Sequence, residues 1–198
     1  MLTNFHFYYS LLAAKGQDPL QSARNSNADG FHVDVMDGVI VKNVCKDHLL
    51  IPELKSLNKP IQVHLMGNQA ILQEIIAVKP DTVFIHPHWC DNVLQVMYEL
   101  RENNIKAGIV WNNDNTETYF DFADEILFMT VEPGASGQTF IENRIEKIKN
   151  IIPNKPSWVD GGVNIDTVKL LEFLPLSGVI VGSGIAGFNQ HKLLSKNR

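Results

Sequence analysis

The 198-residue sequence holds only two cysteines, Cys45 and Cys90, too few and too scattered for a disulfide framework or a cysteine-based zinc site. Both are expected to be free thiols in a reducing compartment. No apolar run is long enough to cross a bilayer. The first residues lack the basic-then-apolar pattern of an export signal, because Tyr8, Tyr9 and Ser10 follow Phe7. No Ser/Gly-rich or Pro-rich stretch divides the chain, so one domain over residues 1–198 is expected. Positive charge is in deficit. A formal net charge of −5 argues against nucleic acid or a membrane surface as a partner. A soluble cytoplasmic protein is the expectation, with homo-oligomerisation left open. An anionic ligand would need a local site of its own.

The composition that is present, 44% hydrophobic and 20% charged, is that of a globular chain able to bury a sizeable core. Short β-branched or apolar runs at residues 6–11, 31–36, 61–66, 82–86, 107–111, 125–131, 157–160 and 178–182 read as eight strands. Between them, residues 47–57, 69–78, 91–103, 139–151 and 165–173 carry helical spacing; Val93, Val96, Met97 and Leu100, for example, share one face. Gln138 or Thr139 is a candidate start for the helix at 139–151, and Asn164 or Asp166 a candidate cap for the next. Residues 190–196 leave room for a short final helix. This alternation predicts an α/β fold, a single closed (β/α)8 TIM barrel, with a doubly wound open sheet as the rival. Polar residues stand at the C-terminal ends of successive strands: Ser10, Asp34, His64, His86, Asn112, Glu132, Asp160 and Ser183. In a barrel these ends converge on one mouth, where the active sites of that fold lie.

In the run from Phe31 to Gly38, alternate residues share a face, so His32, Asp34 and Met36 point together. His64 and Met66 repeat the arrangement, and Asp160 adds a second carboxylate. Polar groups facing a barrel interior are costly unless paired or bound to something. Two imidazoles and two carboxylates suit one divalent cation such as Zn, Fe, Mn or Co; an internal His–Asp hydrogen-bonded pair without metal is the alternative. Three glycine-containing turns, at residues 132–138, 161–162 and 182–183, follow the last three strands, where phosphate sites of this fold are often built. Each turn alone reads as tight geometry; the three together point to phosphate.

The segments His32-Val-Asp-Val-Met-Asp-Gly38, Val63-His-Leu-Met66, Val131-Glu-Pro-Gly-Ala-Ser-Gly-Gln138 and Val159-Asp-Gly-Gly-Val-Asn164 occur in an order and spacing that resembles the ribulose-phosphate 3-epimerase family. Ser10-Leu-Leu-Ala-Ala14 resembles that family's first-strand motif, and the likeness spans roughly residues 5–187. It implies a (β/α)8 barrel, with His32, Asp34, His64 and Asp160 as metal ligands and Asp34 and Asp160 as the acid/base pair. Inverting a carbon beside a carbonyl takes a proton from one face and returns one to the other, which is why two carboxylates are needed. The resemblance also implies that Met36, Met66 and Met129 line the reacting carbon and that Ser10 and His64 contact the substrate. It places the phosphate at Gly134, Ala135, Ser136, Gly137, Gly161, Gly162, Gly182 and Ser183. A phosphorylated ketose, D-ribulose 5-phosphate, is then the expected partner.

The chain departs from the family at Lys15, at Ala135 and Ser136 (usually a bulky aromatic and Gly), at His88 (usually Glu), and at Trp111 and Asn113 of Trp-Asn-Asn (usually Leu-Asn-Pro). Trp111 is expected to be core packing. D-Allulose 6-phosphate is therefore an alternative substrate. A phosphosugar lyase or decarboxylase would want a strand-end Lys beside Asp34, His64 and Asp160, and none stands there. A non-catalytic sugar-phosphate-binding barrel would tolerate loss of a ligand or acid, and none is lost.

Overall fold

The computed structural model describes residues 5–14 and 16–196, with side chains through Gln190. The departure at Lys15 lies outside the described residues. Eight parallel strands close into a barrel: β1 (His6–Ser10), β2 (Gly30–Asp37), β4 (Ile61–Met66), β5 (Thr82–Ile85), β6 (Lys106–Trp111), β7 (Glu125–Met129), β8 (Ser157–Asp160) and β9 (Gly178–Val181). The ring is sealed by β1, which pairs in parallel with both β2 and β9. Closure excludes the open-sheet rival. The fold is a (β/α)8 TIM barrel.

Its interior is filled by matching large side chains to glycines on the neighbouring strand. Tyr8 stands beside Gly30, Phe84 beside Gly108 and Trp158 beside Gly178. A Cβ at those glycines would come within 2.5, 2.2 and 2.4 Å of a neighbouring atom, the ring of Tyr8 and of Phe84 in the first two cases. Val110, Leu127 and Ile180 complete this layer. Below it, Glu125 is buried and accepts from Trp158 Nε1 at 2.9 Å and Lys106 Nζ at 2.9 Å. The opposite strand faces (Val33, Val63, Val83, Ile109, Phe128, Val159, Val179) meet the outer shell of helices. We predict that Gly108→Ala costs about 1–3 kcal/mol, the range for overpacking a filled core. Unchanged stability in denaturant melts would contradict this packing.

The helical shell departs from the sequence reading in several places. First, α1 (Pro19–Asn25) was not foreseen, although Asp18 caps it through Leu20 N at 2.9 Å and Pro19 opens it. Second, the segment 47–57 is composite: a 3-10 turn, then α2 (Ile51–Leu54), then another 3-10 turn. The segment 69–78 likewise begins as 3-10 before α3 (Leu72–Val78), while α4 (Val93–Glu102) matches its expected span. Third, the helix expected over 139–151 starts only at Arg144, giving α5 (Arg144–Ile151). Phe140 is instead buried in the core, and Ile141 N donates to Thr130 O at 2.8 Å. That anchoring holds residues 139–143 outside the helix.

The segment 165–173 forms a 3-10 turn (Thr167–Leu171), and Asn164 Oδ1 accepts from Asp166 N and Thr167 N as a cap. The last helix, α6 (Ile185–Lys196), is longer than expected. A short antiparallel strand, β3 (Val44–Lys46), lies on the end of β2 and was also unforeseen. No helix among the described residues is long and apolar enough to cross a membrane.

Candidate metal and acid/base site

Strand register brings the polar residues together at the C-terminal mouth. Asp34 lies opposite His64, Met36 opposite Met66, Ser10 opposite His32, and Met129 opposite Asp160. His32 Nε2 sits 3.8 Å from Asp34 Oδ1 and 3.7 Å from Asp160 Oδ2. His64 Nδ1 sits 3.4 Å from Asp34 Oδ1 and 3.9 Å from Asp160 Oδ2. Donor atoms from all four residues lie within 4.8 Å of one another.

The expected site residues fall into two adjoining cavities. Ser10, Asp34, Met36, His64, Met66, Met129, Gly134, Ala135, Ser136 and Asp160 line the first. Ala135, Ser136, Gly137, Gly161, Gly162, Gly182 and Ser183 line the second. Ala135 and Ser136 belong to both, so the two cavities share a wall. His32 is fully buried beneath them. At Gly161, φ is +114° and a Cβ would meet Val131 Cγ2 at 2.4 Å; at Gly162, φ is +67° and a Cβ would meet Phe140 N at 2.6 Å. Only glycine serves there. The β7 and β8 turns are also laced by Thr130, whose Oγ1 donates within reach of Asp160 O (3.0 Å) and Gly161 O (2.6 Å).

The electrostatics separate the two carboxyl groups. Burial pushes Asp160 well above the usual carboxylate range, and the nearby Asp34 charge pushes the same way. Burial also acts to raise Asp34, but the imidazoles of His64 and His32 and the Ser10 hydroxyl, 3.0 Å from Oδ2, outweigh it. Asp34 is held below the ordinary value. Their surroundings therefore push the two carboxyl groups in opposite directions, Asp34 toward the ionised form and Asp160 toward the protonated one. Burial pulls His32 down to about 4 against the attraction of Asp34, so it is a neutral imidazole near pH 7.

Neither nitrogen of His32 has a hydrogen-bond partner, nor does His64 Nδ1, although all three are buried. Buried polar atoms are ordinarily paired. Bare imidazole nitrogens beside two carboxylates are a donor set that fits a divalent first-row cation, with His32, Asp34, His64 and Asp160 as the holding residues. An internal His–Asp pair without metal fits less well: three of the four separations, 3.7–3.9 Å, are beyond hydrogen-bonding distance, and the fourth, His64 Nδ1 to Asp34 Oδ1 at 3.4 Å, is long.

Three residues of the mouth were not identified as site residues by the sequence reading. His86 is buried behind His64, with the two Nε2 atoms 2.8 Å apart. Arg144, the buried first residue of α5, donates through Nη1 to Asn112 Oδ1 (2.8 Å), Met129 O (3.0 Å) and Val131 O (3.0 Å), and through Nη2 to Glu132. It clamps the start of the loop that carries Ala135 and Ser136. Asp37 accepts from Val39 N, Ile40 N and Asn68 N, tying the β2 and β4 ends. Trp111 is core, as expected: it is 2% exposed, packs edge-on against Phe128, and donates from Nε1 to Glu117. His88 and Asn113 sit on the outer rim, facing Asp114 and Lys147 respectively.

A parallel barrel with paired carboxyls and bare imidazoles at its C-terminal mouth is the construction of a TIM-barrel enzyme. Residues 8–186 match the ribulose-phosphate 3 epimerase family, and the chain belongs to that family of isomerase-type enzymes. Ribulose-phosphate 3-epimerase of Bacillus subtilis (strain 168) is 29% identical over 195 residues, covering 91% of this chain and 89% of that protein. The protein of that name from Escherichia coli (strain K12) is 29% identical over 188 residues, covering 87% and 83%. Among solved structures, thiamine phosphate pyrophosphorylase from Pyrococcus furiosus superposes with a TM-score of 0.65 at 15% identity, covering 98% and 96%. That last likeness is one of fold.

Proposed function

We propose that this chain is a metal-dependent epimerase that inverts C3 of D-ribulose 5-phosphate to give D-xylulose 5-phosphate. The observation that carries the reading is geometric: two carboxyls, Asp34 and Asp160, stand with two imidazoles in one donor cluster at the barrel mouth, and their surroundings push them in opposite directions. Environments that push two carboxyls apart assign a base and an acid. Asp34 takes the C3 proton, the electron pair moves into an enediolate, and Asp160 returns a proton to the opposite face of C3. The reverse reaction begins from the opposite protonation state. A divalent Zn, Fe, Mn or Co ion held by His32, Asp34, His64 and Asp160 would supply Lewis-acid stabilisation of the negative charge that develops on the substrate oxygens.

Met36 and Met66, packed with Cys45, give one apolar wall, and Met129 gives another. They exclude water beside the reacting carbon without offering a competing proton donor. Ser10 orients Asp34. The second cavity, lined by Gly161, Gly162, Gly182 and Ser183, is the phosphate end, and its backbone groups accommodate an anion on a net acidic protein. A substitution that fills this cavity, Ser183→Phe, is predicted to raise KM by roughly tenfold or more while the C3 chemistry persists at saturation, the signature of lost substrate binding. A fall in kcat with KM unchanged would remove Ser183 from the phosphate site. Both cysteines are free thiols, which suits a reducing, cytoplasmic setting.

A second reading, D-allulose 6-phosphate as substrate, is favoured by Ala135. Its small side chain lines both cavities, where the family usually has a bulky aromatic, leaving room for one more carbon. Steady-state kinetics on both sugars separate the readings. The pentose is expected to win in kcat/KM by about tenfold or more, within what one extra carbon is worth to a fitted pocket. A higher value for allulose 6-phosphate would transfer the assignment to the hexose.

A further inference from the structure

We propose that His86 is a positioning residue that fixes the tautomer of His64, leaving His64 Nδ1 as a lone pair directed into the donor cluster. The inference rests on the metal reading of that cluster and adds a residue outside the four ligands.

The geometry favours one arrangement of protons. His64 Nε2 and His86 Nε2 are 2.8 Å apart and both residues are buried, so a single N–H lies between them. His64 Nδ1 has no hydrogen-bond partner, and its nearest carboxylate oxygen, on Asp34, is 3.4 Å away. A proton on Nδ1 would have only that long, poorly aligned contact with Asp34. Placed on Nε2, the same proton reaches an acceptor at ideal distance. His86 Nε2 then carries the lone pair, and the His86 proton is on Nδ1. Metal-ligating imidazoles are commonly oriented in this way by a partner on the second ring nitrogen.

His86 is itself held rigidly. It follows β5 in extended conformation (φ −87°, ψ 116°), as a residue before proline prefers, and Pro87 follows. Its ring stacks on Trp89 with centroids 3.7 Å apart. Its carbonyl accepts from Trp89 N at 3.0 Å and from Cys90 Sγ at 3.4 Å. Backbone, stack and capping contacts all aim Nε2 at His64. The chain therefore spends a buried His and a Trp on the orientation of one ring.

The test compares His86→Phe, which keeps a flat ring on Trp89 but removes the acceptor, with His86→Gln, which restores an acceptor oxygen. Metal-stripped wild type and both variants are titrated with Co²⁺ and with Zn²⁺ by calorimetry, and the Co²⁺ absorption spectrum is recorded. Affinity is expected to fall by roughly 10–100-fold in His86→Phe, the range for losing an outer partner of a metal-bound imidazole. His86→Gln is expected to recover most of it. Equal affinity in wild type and His86→Phe, or equal losses in both variants, would overturn the role. Wild type that binds neither ion would overturn the metal reading itself, and this inference with it. Long-range ¹⁵N–¹H NMR on Zn²⁺-loaded wild type needs no variant to fold: protons on His64 Nε2 and His86 Nδ1 are expected, and a proton on His64 Nδ1 would overturn the assignment.

Discussion

Asp34→Asn and Asp160→Asn are each expected to lower turnover of D-ribulose 5-phosphate by about 10²- to 10⁴-fold, the span that positioned acid/base groups contribute. Both positions also lie among the proposed ligands, so metal content is measured alongside turnover. Wild-type turnover in either variant, with metal bound, would remove that carboxyl from the mechanism. The two variants are further expected to move stability in opposite directions in metal-stripped protein. Asp160 is raised above its ordinary value of 3.8, so the folded state binds the extra proton and stability falls as pH climbs through the raised value. At pH 7 burying this carboxyl costs folding free energy whether it is ionised or takes up a proton, and Asp160→Asn should raise Tm. Asp34 is depressed below 3.8. Its contribution is present above 3.8 and is lost as pH drops through the lowered value, so Asp34→Asn should lower Tm at pH 7. Shifts of the same sign would contradict the separation of the pair.

Removing metal is the second large effect. Dialysis against a chelator is expected to take activity to background, and Mn²⁺, Co²⁺, Zn²⁺ or Fe²⁺ should restore it in part or whole. A ligand that binds only the folded chain stabilises it, by about 2.7 kcal/mol at a concentration 100 times Kd. Tm should therefore climb with added metal. His32→Ala should abolish that climb, because His32 is fully buried with both ring nitrogens otherwise bare. A chelated enzyme with undiminished activity would leave the internal His–Asp reading standing.

Most of the barrel and its mouth was legible because two periodicities coincide. Alternation along β2 puts His32, Asp34 and Met36 on one face, and strand ends of a closed sheet converge whatever the helices do. Helix boundaries were less legible because tertiary burial overrode local pattern. Phe140 fits a helical face in sequence, yet it is drawn into the core and delays α5 to Arg144. The three-residue β3 is too short to show alternation; it exists by pairing with Val35–Asp37. Asp18-Pro19 did carry a start signal for α1.

His86 and Arg144 illustrate a different limit. In sequence His86 is only a strand-end polar residue, because its contact with His64 depends on register between β4 and β5. Arg144 reads as a solvated helix charge until the late start of α5 turns it toward Asn112 and Glu132. The resemblance to the family carried the acid/base roles, while the split between Asp34 and Asp160 emerged only from their surroundings.

The most direct test is proton NMR of metal-replete protein with D-ribulose 5-phosphate in D₂O. Deuterium should appear at C3 of both sugars as D-xylulose 5-phosphate accumulates, because the proton taken by one carboxyl is not the one the other returns, and both carboxyls re-equilibrate with water between turnovers. A C3 proton that persists unchanged, with no xylulose 5-phosphate formed, would contradict epimerisation of this sugar.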